Sequence, residues 1–140
     1  MADADIRWKQ RFTNYKKAHG RLKNAVTFFE ENRGGDDVYI AMEALIKCFE
    51  FTFELAWQTM KDHISYKGYV KDIHGSRDSI RAALQFDFIS EGQLWMDMID
   101  DRNRAVHAYD EENAQFLANR ITEYYSGEFA KFEEKMETLL

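Results

Sequence analysis

The chain has 140 residues, of which 45% are hydrophobic and 15% aromatic, and a formal net charge of −6. That length suits one domain with a sizeable core, and the apolar content excludes an intrinsically disordered chain. The acidic balance argues against a general nucleic-acid coat, which draws on Lys and Arg, but leaves room for a local basic pocket. Proline is absent, and several of the seven glycines fall between periodic segments, as in an all-helical chain with short connections. Cys48, the single cysteine, cannot form an internal disulfide, so a reducing cytoplasm is the expected compartment. The charged stretch from Met1 to Arg11 lacks the apolar region of a secretory signal. No run of about 18 apolar residues occurs, so no membrane span is expected.

Trp8, Phe12, Tyr15, His19, Leu22, Val26 and Phe29 recur at steps of four and three, which predicts a first helix over residues 5–32. His19 falls on this stripe and reads as a satisfied core or interface histidine. Gly34-Gly35 ends the helix, and Asp36 or Asp37 can cap the next. A second helix over 37–66 carries Met42, Leu45, Ile46, Phe49, Phe53, Ala56, Trp57 and Met60. Its broader apolar face marks it as central or shared with a partner. The run Phe49-Glu50-Phe51-Thr52-Phe53-Glu54 reads as core by its spacing. Gly68 to Gly75 forms a loop, and Ser76 caps a short third helix ending near Phe86.

Ser90 with Gln93 three residues later fits a capping box, opening a fourth helix through Leu94, Trp95, Met98 and Ile99. Asp110 to Glu112 interrupts the pattern. A last helix then buries Leu117, Ala118, Ile121, Tyr125, Phe132, Met136 and Leu139. The expectation is an all-α fold, an antiparallel up-and-down four-helix bundle with an additional short helix. Residues 1–140 make a single domain with no internal repeat.

Several chemistries have no footprint in the sequence. None of the four histidines has a Glu three positions earlier, and no His-Glu-x-x-His or paired Cys occurs, so neither a metal site nor a cofactor is expected. The acidic trio Asp97, Asp100 and Asp101 reads as a helix face restraining Arg102 or Arg104 rather than as a cation site. Gly75-Ser76 is followed by neither a strand nor Asp-x-Asp, so the chain is not itself a nucleotidyltransferase.

One string stands apart: Arg102-Asn103-Arg104-Ala105-Val106-His107-Ala108-Tyr109. An arginine holds phosphate oxygens through its planar fork, a histidine moves protons near neutral pH, and a phenol donates, accepts or is modified. Arg104, with Arg77 and Arg81, can add a basic pocket on the acidic body. On one ideal helix Arg102 and His107 lie about 140° apart, whereas Asn103 shares a face with His107 and Arg102 shares one with Tyr109. Either the segment leaves the helix before His107, or two copies of the chain combine their residues around a twofold axis.

The string resembles the Arg-x4-His-Tyr signature of HEPN domains. Phe49 to Asp62 is similar to the second-helix signature of nucleotidyltransferase substrate-binding proteins. Ser76-Arg77-Asp78-Ser79-Ile80-Arg81 and Trp95 to Asn103 also resemble that family, in order, from about Arg11 to Phe132. Gly75-Ser76-Arg77 departs from it, with no proline where such proteins often carry Ser-Pro-Arg. The resemblance implies a homodimeric bundle encoded beside a minimal nucleotidyltransferase and bound to it. It further implies a metal-independent ribonuclease acting on RNA in a toxin–antitoxin pair, with Arg102, Asn103 and His107 catalytic. In such pairs the transferase silences the toxin by adding AMP to the motif tyrosine, here Tyr109. Other members are described only as non-catalytic, substrate-binding subunits.

Overall fold

The computed structural model describes residues 2–69 and 72–140. Six helices follow one another: α1 (Ala2–Glu31), α2 (Val38–Lys67), α3 (Gly75–Gln85), α4 (Gly92–Arg104), α5 (Glu111–Arg120) and α6 (Ser126–Glu137). A 3-10 turn, Ala105–His107, follows α4, and a π-helical turn, Ile121–Tyr125, welds α5 to α6 into one long rod. No strand occurs among the described residues. The predicted loop from Gly68 to Gly75 is seen except at residues 70–71, which lie outside the described residues.

Contacts across the bundle set its directions. Arg11 meets Gln58 and Asp62, so α1 and α2 run antiparallel. Arg33 reaches Asn119 while His19 meets Glu133, so the α5–α6 rod runs antiparallel to α1. Asp101 meets Arg120 while Trp95 packs on Phe132, so α4 opposes that rod as well. The result is the expected up-and-down four-helix bundle, with α3 as the additional short helix.

Aromatic rings fill the core. Trp8, Phe12, Tyr15, Phe49, Phe53, Trp95, Tyr125, Phe129 and Phe132 are all buried, and their edge-on and offset pairs supply the dense packing that fixes helix register. Inside this cluster the Tyr15 hydroxyl donates to the Phe129 carbonyl at 2.7 Å. His19 is buried with Nδ1 2.8 Å from Glu133 Oε1, the satisfied histidine its position on the stripe suggests. The second helix is central, touching every other helix.

Five local expectations are corrected. Ser76 does not cap α3: the helix begins at Gly75, and Asp78 instead accepts from the His74 N–H at 3.0 Å. The Ser90–Gln93 capping box does not form. The helix starts at Gly92, and the Gln93 amide donates to Asp97 at 2.9 Å. Phe51 is 55% exposed although Phe49 and Phe53 are buried. Residues two apart on a helix differ by about 200°, so one face cannot take all three rings. Of the residues expected to be buried by the last helix, Leu139 is only half-buried, and Asp37 precedes α2 without a capping side-chain bond.

Candidate functional site

The last turn of α4 spreads four charged or polar side chains to different surroundings. Asp101 turns inward and is only 3% exposed. Its carboxylate accepts from Arg120 Nε at 2.6 Å and from the Tyr125 hydroxyl, which also accepts from Arg120 Nη2 at 2.9 Å. Burial, joined by the Asp101 carboxylate, pushes the Tyr125 phenol well above its usual range. Partial burial opposes the Arg120 charge, but its bonds to Asp101 and Tyr125 prevail and hold the guanidinium protonated. Two members of the acidic trio, Asp97 and Asp101, thus restrain Arg120, and Asp101 also restrains Arg104, whose Nη1 is 3.8 Å from it and whose guanidinium lies 5.2 Å from the Phe116 ring.

Arg102 faces α2. Its Nη1 lies 3.5 Å from Glu50 Oε2, and the side chain is about one-third exposed. Asn103 is exposed. The α-helix then stops at Arg104, and the chain tightens into the 3-10 turn at Ala105, whose methyl is buried. Several bonds fasten this turn. Asn113 donates its amide to the Arg104 carbonyl at 3.0 Å, and the Asp110 N–H donates to the His107 carbonyl at 3.1 Å. Asp110, extended at ψ 119°, caps α5 by accepting from the Glu112 N–H at 3.0 Å. The chain therefore leaves the α-helix ahead of His107, the first of the two options left open by the spacing.

His107 and Tyr109 come together, their ring centroids 6.0 Å apart at a steep angle. Both are exposed, Tyr109 to 82%, and Val106 beside them to 65%. Arg102 makes no hydrogen bond to His107, Asn103 or Tyr109 among the described residues. The α-helical register that would stack Arg102 on Tyr109 ends at Arg104.

Arg77 and Arg81 are exposed on α3. Arg77 Nη1 approaches the Met96 sulfur at 3.7 Å, which lies roughly 9 Å along the α4 axis before Arg102. Arg81 sits one turn further from the motif, toward the α3–α4 connection, so α3 brings one arginine near the motif rather than two. Sequence reasoning missed Glu50, Asn113, Phe116, Arg120 and the second role of Tyr125. Only Glu50 lay inside a string already singled out.

A family model described as "Nucleotidyltransferase substrate binding protein like" matches residues 10–138. A curated relative, "Probable ribonuclease HepT" from Haemophilus influenzae, is 32% identical over 82 residues, 56% of this chain and 56% of its own length. The chain thus spans about half the length of that curated relative. Among solved structures, a Haemophilus influenzae protein described as having the fold of a substrate binding domain of a nucleotidyltransferase superposes with TM-score 0.77. The two share 23% identity over 90% of this chain and 98% of the other. A Thermus thermophilus protein follows with TM-score 0.61 and 24% identity, over 84% of this chain and 97% of the other. These structures support the bundle fold, and the family match covers nearly the whole chain. No helix among the described residues is long and apolar enough to cross a membrane. The chain belongs to the nucleotidyltransferase substrate binding protein-like family.

Proposed function

We propose that the protein is the HEPN-type partner of a minimal nucleotidyltransferase, acting in the cytoplasm as a homodimeric, metal-independent ribonuclease toxin. The observation that carries this reading is the break after Arg104, which carries His107 out of the helix to an exposed lip beside Tyr109. In this reading the RNA 2′-hydroxyl gives up its proton and attacks the neighbouring phosphorus. The bond to the 5′-oxygen breaks, and that oxygen leaves with a proton. His107 carries one of these protons, a role worth about 10²–10⁴-fold in rate. Arg102 stabilises the charge growing on the phosphorus oxygens, and Asn103 orients the phosphate or the histidine. Arg102 is about one-third exposed and its contact with Glu50 is long at 3.5 Å, so a phosphate can compete for its guanidinium. Arg104, Arg77 and Arg81 contribute positive potential, Arg81 from the greatest distance. In this reading the exposed Val106 lies at a contact around a twofold axis, where the Arg102 of one copy works with the His107 of the other as well as with its own. The name of the curated relative supports the ribonuclease reading.

The test is RNA cleavage by pure protein in excess chelator, comparing wild type with His107→Ala and Arg102→Ala. Loss of cleavage in both variants is expected, and equal cleavage by all three refutes the reading. A second reading is a non-catalytic subunit that presents substrate to the transferase. The Glu50–Arg102 pair and the net charge of −6 favour it. It requires nucleotide or polynucleotide binding that strengthens in the transferase complex, without cleavage. Growth arrest abolished by His107→Ala would count against it.

A further inference from the structure

The face of α1 and α2 away from the core carries two cavities end to end. One, about 450 Å³, lies between Lys17 and Arg21 of α1 and Phe51 of α2. The other, about 440 Å³, lies between Arg7 and Arg11 of α1 and Lys61 of α2. Together they follow α1 from Ala4 to Arg21, about 25 Å of helix axis.

Three observations give this groove a chemistry. First, Arg7, Lys17, Arg21 and Lys61 form no ion pair among the described residues, whereas many cations elsewhere on this acidic protein do. Second, the carboxylates in the groove have partners other than its free cations, a guanidinium for Asp62 and neutral donors for Glu54. Asp62 is held by Arg11 at 3.0 Å, and Glu54 accepts from Trp57 at 3.1 Å and from Gln58 at 3.2 Å. Third, the Phe51 ring stands 55% exposed at the edge of the first cavity, with Lys47 Nζ 5.2 Å from its centroid. A row of free cations with an exposed ring among them is the pattern by which proteins hold single-stranded nucleic acid, phosphates on the cations and a base on the ring.

We propose that the groove between α1 and α2 is a path for single-stranded RNA, with Phe51 as its stacking platform and Arg7, Lys17, Arg21 and Lys61 as its phosphate contacts. This rests on the ribonuclease reading and gives its RNA substrate a binding path. Phe51 follows Glu50, the residue that holds Arg102, on the same turn of α2, about 100° further around the helix. A compact ligand such as a mononucleotide fills one cavity. A polymer is needed to engage cations spread over about 21 Å from Arg7 to Arg21.

The test uses His107→Ala full-length protein and a fluorescent single-stranded RNA of about 12 nucleotides, within the range of site sizes for such proteins. Affinity is measured against salt concentration. Lys17→Gln/Arg21→Gln should flatten the slope of log K against log salt by about 1.4, two contacts at about 0.7 each. Phe51→Leu should weaken binding about 5-fold or more. Lys23→Gln/Lys135→Gln, which removes two unpaired cations outside the groove, should leave both quantities nearer wild type. Unchanged RNA affinity and salt slope in the groove variants overturns the proposal. So does AMP binding as tightly as the oligomer, or equal competition by polyglutamate at matched charge. A change in sedimentation with unaltered RNA affinity assigns the groove to a second copy and overturns it too. Cleavage by the wild type, lost in His107→Ala, is scored separately, so the ribonuclease reading can stand while the groove falls, or the reverse.

Discussion

Acidification should weaken the fold through His63, and replacing that residue should remove most of the effect. Its ring is 1% exposed, with Trp8 and Phe88 edge-on at 4.6 and 4.9 Å, and neither ring nitrogen has a hydrogen-bond partner among the described residues. Burial, aided by the Lys67 charge and opposed by Asp5, lowers its pKa from 6.5 to about 4. The folded chain therefore holds the ring neutral at a pH where the unfolded chain has already protonated it. Stability from this residue is complete above about pH 7, declines as the pH falls through 6.5, and is fully lost below about 4. The whole difference is about 3 kcal/mol at 1.36 kcal/mol per tenfold change, and about 2 kcal/mol of it disappears between pH 7 and pH 5. That is a large share of the 5–15 kcal/mol typical of a domain. The assay is urea unfolding followed by circular dichroism at both pH values, for wild type and His63→Leu. Carboxylates titrate in both proteins, so the difference between them isolates the histidine. The variant should lose about 2 kcal/mol less than wild type on acidification. Equal losses would refute the claim that His63 is buried uncharged.

Three further outcomes are expected. Tyr125→Phe removes the hydroxyl bridging Asp101 and Arg120, leaving a buried carboxylate with one partner fewer, and should cost about 1–3 kcal/mol in chemical denaturation. Gly68 ends α2 at φ 73°, where the Tyr69 N–H closes back on the Ile64 carbonyl, so Gly68→Ala should lower stability by about 1–2 kcal/mol, read as a fall in Tm. Tyr109, with its ring largely in solvent, makes no hydrogen bond through its hydroxyl among the described residues. Tyr109→Phe should leave stability within about 0.5 kcal/mol, and intact-mass spectrometry after co-expression with the proposed nucleotidyltransferase partner should show added nucleotide mass on wild type alone.

The helical content and the core are legible in the sequence because they are local, periodic properties. The four-and-three spacing of Trp8 through Phe29 determines which face of α1 turns inward, whatever it packs against, and all of those residues except the half-buried Val26 are buried. The same holds for α2, where only Trp57 is half-buried, and for Leu117 through Met136. The extents match as well: periodicity predicts residues 5–32 where Ala2–Glu31 forms, and 37–66 where Val38–Lys67 forms. Helix starts are less legible. Ser76 and Ser90 have the right chemistry for capping, but Asp78 captures the first site, and α4 begins two residues after Ser90. Tertiary structure alone decides the rest. The break at Arg104 depends on Asn113, nine residues onward, taking the carbonyl that another helical turn would have used. The π-turn at Ile121–Tyr125 and the Asp101–Tyr125–Arg120 cluster join groups up to 24 residues apart. Periodicity can assign Tyr125 to the core but cannot say what its hydroxyl will meet. The groove of Arg7, Lys17, Arg21 and Phe51 lies across two helices, and its charge emerges only when their outer faces are set side by side. Burial follows from spacing within one helix, whereas turns, ion pairs and pockets follow from which distant groups the packed helices bring into contact.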